Sequence, residues 1–433
     1  IDHVAGSLGT VLLVLTALGS IAAPLLVYLF APGFWDDPER SDLTADMLRI
    51  TFPYLFFIAL VAFAGGILNS YNRFAIPAFT PVILNLCLIS AALWLAPLFD
   101  QPLMALAWGV AAAGVLQLLL QFPALLKLKL FPRPRLQRGH AGVSKILRLM
   151  LPAVVGSSVA QINLLLDTII ASFLAIGSVT WLYYSDRMLE FPLGVLGIAI
   201  ATVILPALSR QHANASREDF NRTLDWALKL VILIALPACI GLLLLASPIL
   251  ATLFQHGDFT ANDSYMASLS LMAYMLGLPA FILIKVLAPG YYSRQDTKTP
   301  VKIAIIAMIS NMALNILFVV PMVMLHYEAP HVGLALATSA SGYINAILLY
   351  RGLRNTGVYQ PLTGWGIMLG KMLLACTGMA ALVLYLTPGL EIWTWLTAVE
   401  RAIYLGSIIG SAALVYFAML WLSGLRPDRL KRD

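Results

Sequence analysis

Charge is scarce in this chain of 433 residues: Asp, Glu, Lys and Arg together make up 11% of it, against about a quarter in soluble domains. So little charge cannot cover a water-exposed surface of this size. Cysteine is scarcer, and Cys87, Cys239 and Cys376 each sit inside an apolar run with no pairing or metal spacing. They read as small core residues, and a disulfide scaffold is excluded. His3, His140, His212, His256, His326 and His331 are scattered near the ends of apolar runs and suggest no metal centre. In place of charge the chain carries 60% apolar residues, in runs of twenty or more that recur from end to end. The fold class expected is therefore an all-α polytopic membrane protein.

Twelve spans are expected, at roughly 5–31, 45–69, 75–99, 103–127, 146–175, 179–209, 222–255, 263–290, 298–325, 329–352, 366–388 and 400–424. The net charge of +6 lies in the short loops between spans, which is a topology signal and argues against nucleic acid as a partner. Basic loops (Arg73, Lys127 to Arg148, Arg210 to Arg222, Arg294 to Lys302, Arg351 and Arg354, Arg426 to Arg432) alternate with loops holding Asp36, Asp37, Asp100, Asp258, Glu328 and Glu391. The positive-inside rule puts the basic side and the C-terminus in the cytoplasm. The longest basic connection, with Pro132, Pro134 and Gly142, divides the chain into halves.

An internal repeat agrees with that division. Pro24, Phe30 and Gly33 recur as Pro248, Phe254 and Gly257, all three at one constant offset. Tyr71-Asn-Arg73 before Thr80-Pro81 is echoed by Tyr292-Ser-Arg294 before Thr299-Pro300, at nearly the same offset. The paired segments fall on the same side of the membrane, so the repeats are parallel. Two spans precede the Pro248 span in the second half, and the offset predicts two more, about 75–80 residues, ahead of Ile1. The expected whole is fourteen helices, in two six-helix lobes and a C-terminal pair. The domains are then 1–130 (the third to sixth helices of the N-terminal lobe), 131–145 (a basic linker), 146–355 (the C-terminal lobe) and 356–433 (the extra helices and basic tail).

Two polar sets interrupt the apolar spans. Asp186, Arg187 and Glu190 stand within one sector of a helix in 179–209, where lipid contact would cost several kcal/mol per charge. They are either an internal structural bridge or a substrate site. Lys285 is a second intramembrane cation, which either attracts a phosphate or snorkels to the nearby interface. The other set is Asp167, Asn311, Asn315 and Thr338, three spans whose polar groups sit about 12–15 Å from the outer ends. Their oxygens suit a sodium ion or a proton, or else serve interhelical hydrogen bonding. Gly406-x-x-x-Gly410 reads as a close helix contact.

The stretches Trp181-Leu-Tyr-Tyr-Ser-Asp186-Arg187-Met-Leu-Glu190-Phe-Pro-Leu-Gly, Ala288-Pro-Gly-Tyr-Tyr-Ser-Arg294-Gln-Asp296-Thr-Lys-Thr-Pro300-Val-Lys302 and Leu68-Asn-Ser-Tyr-Asn-Arg73-Phe closely resemble the MurJ (MviN) family of lipid II flippases, in the multidrug/oligosaccharidyl-lipid/polysaccharide exporter superfamily. The resemblance spans the whole chain. It implies a transporter, not an enzyme, in a bacterial cytoplasmic membrane, with the C-terminal helix pair forming a groove for a polyprenyl tail. It implies lipid II, an undecaprenyl-diphosphate-linked disaccharide pentapeptide, as cargo carried outward by alternating access. Arg187 is the matching cavity arginine, and Asp186, Glu190 and Lys285 complete the expected head-group site. No cofactor is implied beyond a coupling ion, sodium or proton, at Asp167, Asn311, Asn315 and Thr338. The partners are lipid II and membrane lipids, with the chain a monomer. A superfamily exporter of another lipid-linked oligosaccharide or of a drug is the alternative. A drug antiporter would favour an acid-dominated cavity, against which Arg187 argues. An enzyme would need an acid/base or metal constellation at a membrane face, and Asp36-Asp37 lies in an outer loop.

Overall fold

In the computed structural model, residues 2–132, 135, 154, 158–159, 161–214 and 216–425 are described. They form two compact units, Ile1–Ser158 and Val159–Asp433. No strand occurs among the described residues. Among the described residues, ten helical segments are long and apolar enough to cross a membrane, with Pro38–Ser70 counted as one. Their outward faces carry Leu13, Leu93, Ile316, Leu374 and Leu414, the all-round apolar character of helices in lipid.

The first unit runs α1 (Asp2–Ile21), α2 (Ala23–Phe30), α3 (Pro38–Thr51), α4 (Tyr54–Ser70), α5 (Ala75–Ser90) and α6 (Pro102–Lys127). Helices α4 and α5 both pack on α6. Asp37 caps α3 by accepting from the Arg40 amide at 3.1 Å. Inside the unit, Gln117 accepts from the Tyr54 hydroxyl at 3.2 Å and donates to the Thr80 carbonyl at 3.1 Å, while Gln121 donates to the Thr80 hydroxyl at 3.2 Å.

The second unit holds α7 (Gln161–Ser172), α8 (Ser178–Pro192), α9 (Ala199–Ala213), α10 (Arg217–Leu244), α11 (Ala246–Phe254), α12 (Ala261–Tyr292), α13 (Lys298–Met324), α14 (Val332–Asn355), α15 (Trp365–Leu386), α16 (Leu390–Trp395) and α17 (Ala398–Leu422). Its axis is α12, begun by a capping box between Thr260 and Asp263 and packed against α8, α9, α10, α11 and α14. Gly277 and Gly342 admit the Phe281 ring between α12 and α14; a Cβ on Gly342 would lie 2.5 Å from that ring. Helices α15 and α17 pack on each other and on α10, and α17 also packs on α11. Arg401 of α17 is buried and donates to the Ala251 carbonyl at 3.1 Å.

Two expected spans look different. The span at 146–175 lies partly outside the described residues and includes the short helix α7. The span at 179–209 is interrupted after Pro192 by a π turn, Leu193–Ile198, so that α8 and α9 are separate helices. The glycine pair Gly406 and Gly410 faces open space: a Cβ at either position would meet nothing within 4 Å. Among the described residues the expected close helix contact is not made there.

The repeat is written in the backbone. The corner between α1 and α2 at Ala22 (φ −82°, ψ 7°) matches that between α10 and α11 at Leu245 (φ −100°, ψ 11°). After α4, Asn72 takes φ 59° and the Arg73 amide bonds the Leu68 carbonyl. After α12, Gln295 takes φ 60° and the Asp296 amide bonds the Tyr291 carbonyl. Ala22 and Leu245 stand at the same separation in sequence as Asn72 and Gln295, so one register covers both features. This register pairs Arg73 with Asp296, so the sequence pairing of Arg73 with Arg294 is shifted by two. Helices α6 and α14 end alike too. Phe122 meets Phe131 edge-on at 5.0 Å and Tyr350 meets Tyr359 at 5.7 Å, with the same spacing between the rings of each pair along the chain.

Candidate functional site

Helix α8 begins at Gly177, whose φ of 104° is open to glycine and where a Cβ would lie 2.6 Å from the Trp181 ring. Trp181, Ser185, Leu189 and Pro192 then form one buried stripe at helical spacing. Trp181 Nε1 donates to Asp263 Oδ1 at 2.8 Å, and Ser185 Oγ donates to the Ala267 carbonyl at 2.7 Å. These bonds fix the rotation of α8 against α12. The opposite face carries Tyr183, Arg187 and Glu190, all exposed. Arg187 Nη1 donates to Glu190 Oε2 at 2.6 Å, and its guanidinium stacks on the Tyr183 ring at 4.9 Å. Both members of the pair are about half exposed. The guanidinium therefore keeps donors free for an incoming anion.

Asp186 sits on the flank of α8, half-buried and without an ion pair to Arg187. It is within electrostatic reach of Asp167 and of the buried Tyr274. It thus links the exposed charges to the polar layer inside the unit. Lys285 is exposed and its stem runs past Gly197, where a Cβ would lie 3.2 Å from Lys285 Cγ. Among the described residues no ion pair joins it to the α8 charges.

The polar layer is one connected cluster. Asn315 Nδ2 donates to Asp167 Oδ1 at 2.6 Å and to Asn311 Oδ1 at 3.0 Å. Asn311 Nδ2 donates to Thr338 Oγ1 at 3.2 Å and to Ser341 Oγ at 3.4 Å. Asp167 Oδ2 accepts from Thr338 Oγ1 at 3.4 Å and from Asn163 Nδ2 at 3.3 Å. The structure thus joins Asp167, Asn311, Asn315 and Thr338, from α7, α13 and α14. Two oxygens, Asn163 Oδ1 and Asn315 Oδ1, remain buried without a partner. Such orphaned acceptors beside a carboxylate form an all-oxygen donor set, the kind hard cations take. Among the described residues no three His, Cys, Asp or Glu side chains cluster as metal ligands. Sequence reasoning missed Asn163, one turn before Asp167, and Ser341, one turn after Thr338, although helical spacing marks both. Tyr274 and the Trp181–Asp263 bond carry no sequence signal, since both depend on how α8 lies on α12.

An apolar groove of about 250 Å³ runs between α10, α15 and α17, lined by Leu233, Leu245, Met379, Val383, Ala412 and Phe417.

Comparison with known proteins agrees in sequence and in fold. The sequence profile described as lipid II flippase MurJ matches residues 1–406. A protein of Haemophilus influenzae named "Probable lipid II flippase MurJ" is 46% identical over 99% of this chain and 85% of its own length. The "Lipid II flippase MurJ" of Burkholderia cenocepacia is 39% identical over 100% of this chain and 83% of its own. A solved structure of lipid II flippase MurJ in an inward closed conformation superposes with a TM-score of 0.79 at 27% identity, covering 98% of this chain and 84% of that one. An inward-facing multidrug MATE transporter of the MOP superfamily shares the fold, with a TM-score of 0.67 at 16% identity over 82% and 81% of the two chains. With its charged α8, its repeated helix corners and this profile along nearly its whole length, the chain belongs to the lipid II flippase MurJ family.

Proposed function

We propose that this chain carries lipid II from the inner to the outer leaflet of a bacterial cytoplasmic membrane by alternating access, and that it catalyses no covalent step. The observation that carries this reading is the half-exposed Arg187, turned away from the packed face of α8 and, among the described residues, ion-paired with Glu190 only. A diphosphate offers more charge than one carboxylate, so it can draw the guanidinium fork from Glu190 and take two parallel hydrogen bonds. Asp186 and Glu190 then hold or release the arginine, and Lys285 meets the diphosphate as it enters from the inner leaflet. The head group sits in a central cavity lined by α8, while the polyprenyl tail lies in the groove of α10, α15 and α17.

The Asp167 cluster supports a coupling ion. Asp167, Asn311, Asn315 and Thr338 would hold sodium or a proton, with Asn163 adding an oxygen. Neutralising Asp167 lowers the negative field that Asp186 feels, which connects ion occupancy to the charges on α8. The domain limits at 130, 145 and 355, a cytoplasmic C-terminus and a monomeric state complete the proposal. It is tested by reconstituting the full-length protein in vesicles loaded with fluorescent lipid II in one leaflet. Transfer above empty vesicles is expected, with lipid II building up on the inner leaflet of depleted cells. Transfer equal to that of empty vesicles would refute it.

A further inference from the structure

The motif around Arg294 takes no part in the site above, yet it shapes a second one. The turn after α12 is fixed by Gln295 at φ 60° and by Asp296, whose carboxylate caps α13 through the Thr299 amide at 3.0 Å. Burial works against ionisation of Asp296, but the hydrogen bonds from Thr299 and Lys298 outweigh it and hold the carboxyl below the usual range. Arg294, with Asp296 as its electrostatic neighbour but no ion pair among the described residues, lines a polar recess of about 250 Å³. The other walls are Gln211 and His212 at the end of α9, Ser216 and Arg217 at the start of α10, and Thr356 after α14. Phe220 and Val358 form an apolar floor. Arg217 is exposed and has no ion pair among the described residues. Nearby acids are already engaged: Glu218 pairs with Arg222, and Asp219 accepts from Ser216 Oγ.

A buried amide points to a ligand. Gln211 is only 9% exposed; its Nε2 meets Thr223 Oγ1 at 2.7 Å and its Oε1 is buried without a partner. Turned end for end, the amide keeps the Thr223 bond by accepting the hydroxyl proton and presents Nε2–H in place of the orphaned oxygen. An anion in the recess would draw that orientation. We propose that this recess binds a phosphoryl anion, held by Arg217 and Arg294 and by the Gln211 amide. Both arginines offer planar forks suited to phosphate oxygens, and the first free amides of α10 face the same end. The phosphoryl group comes either from an anionic lipid head group or from a soluble phosphate compound, since the chemistry of recognition is shared.

The full-length protein in nanodiscs of neutral phosphatidylcholine tests this, with inorganic phosphate added in one arm and phosphatidylglycerol mixed into the bilayer in the other. Thermal stability and native mass spectra are read in each. The wild type should be stabilised in at least one arm; the lipid arm alone assigns a head group, and the phosphate arm alone assigns a soluble ligand. Arg217→Gln should weaken binding about tenfold, the worth of one charge-assisted contact, whereas Arg217→Lys should lose less. Arg217 is exposed and has no ion pair among the described residues, so neither change threatens the fold. No stabilisation in either arm, or an equal response in Arg217→Gln, would overturn the proposal. Neither variant touches Arg187, so lipid II transfer reports separately on the proposed transport.

Discussion

Replacing Arg187 by alanine separates what the residue does for the fold from what it does for cargo. Its ion pair with Glu190 is 2.6 Å long but half exposed on both sides, and such pairs contribute about 0–1 kcal/mol. Losing it should lower the melting temperature by about 2–4 °C at most. Against a diphosphate, the same guanidinium would make two charge-assisted hydrogen bonds, worth about 1.5–3 kcal/mol each. Their loss corresponds to about 10²–10⁴-fold in affinity. Arg187→Ala should therefore fold and insert normally, yet neither bind lipid II in native mass spectra nor move it in vesicles. Arg187→Lys, which keeps charge but not the fork, should fall between. A variant that binds within about twofold of wild type, measured against that expectation, removes Arg187 from the mechanism.

Asp167→Asn should weaken any sodium or proton dependence of transport, while its one remaining oxygen can still accept from Asn315; unchanged dependence would leave those residues a packing role. Asp225→Ala should destabilise the second unit by about 3–5 kcal/mol, read by thermal or denaturant unfolding, because the Lys229 ammonium 2.7 Å away loses its buried partner. His331 lies buried at the start of α14, with Nε2 3.1 Å from the Met266 carbonyl; burial holds its pKa below the usual 6.5, and the carbonyl offsets this only in part. The unfolded chain thus takes up the proton first, so stability should be complete above about pH 6.5 and decline as pH falls below it. His331→Gln should flatten that decline; a slope equal to wild type would assign it to other groups.

The fold was legible because lipid imposes a coarse code. Uninterrupted apolar length marks spans, and Pro24 and Pro248 mark the repeated corners. The single acid of its span, Asp167, and the amides Asn311 and Asn315 announced a buried polar layer because nothing else polar competes at that depth. What stayed hidden depends on helix rotation and register. Periodicity put Asp186, Arg187 and Glu190 in one sector, but only the docking of Trp181 and Ser185 on α12 divides them into an exposed pair and a half-buried flank. The two-residue slip between Arg73 and Arg294 is of the same kind: similar letters sit at different points of one turn. The glycines at 406 and 410 mislead for the opposite reason, since small residues permit a contact without making one.

Asp225 Oδ1 accepts from the Tyr359 hydroxyl, the Leu362 amide and the Trp365 indole, and Asn221 clasps Gln360 through two more bonds. The segment leading from α14 into α15 is thereby riveted to α10 at several points. Helix α15 is thus not on a loose tether, and on the proposed reading a hydrocarbon chain lodged beside it and α10 would travel as a passenger of that helix, so that displacement of one would displace the other.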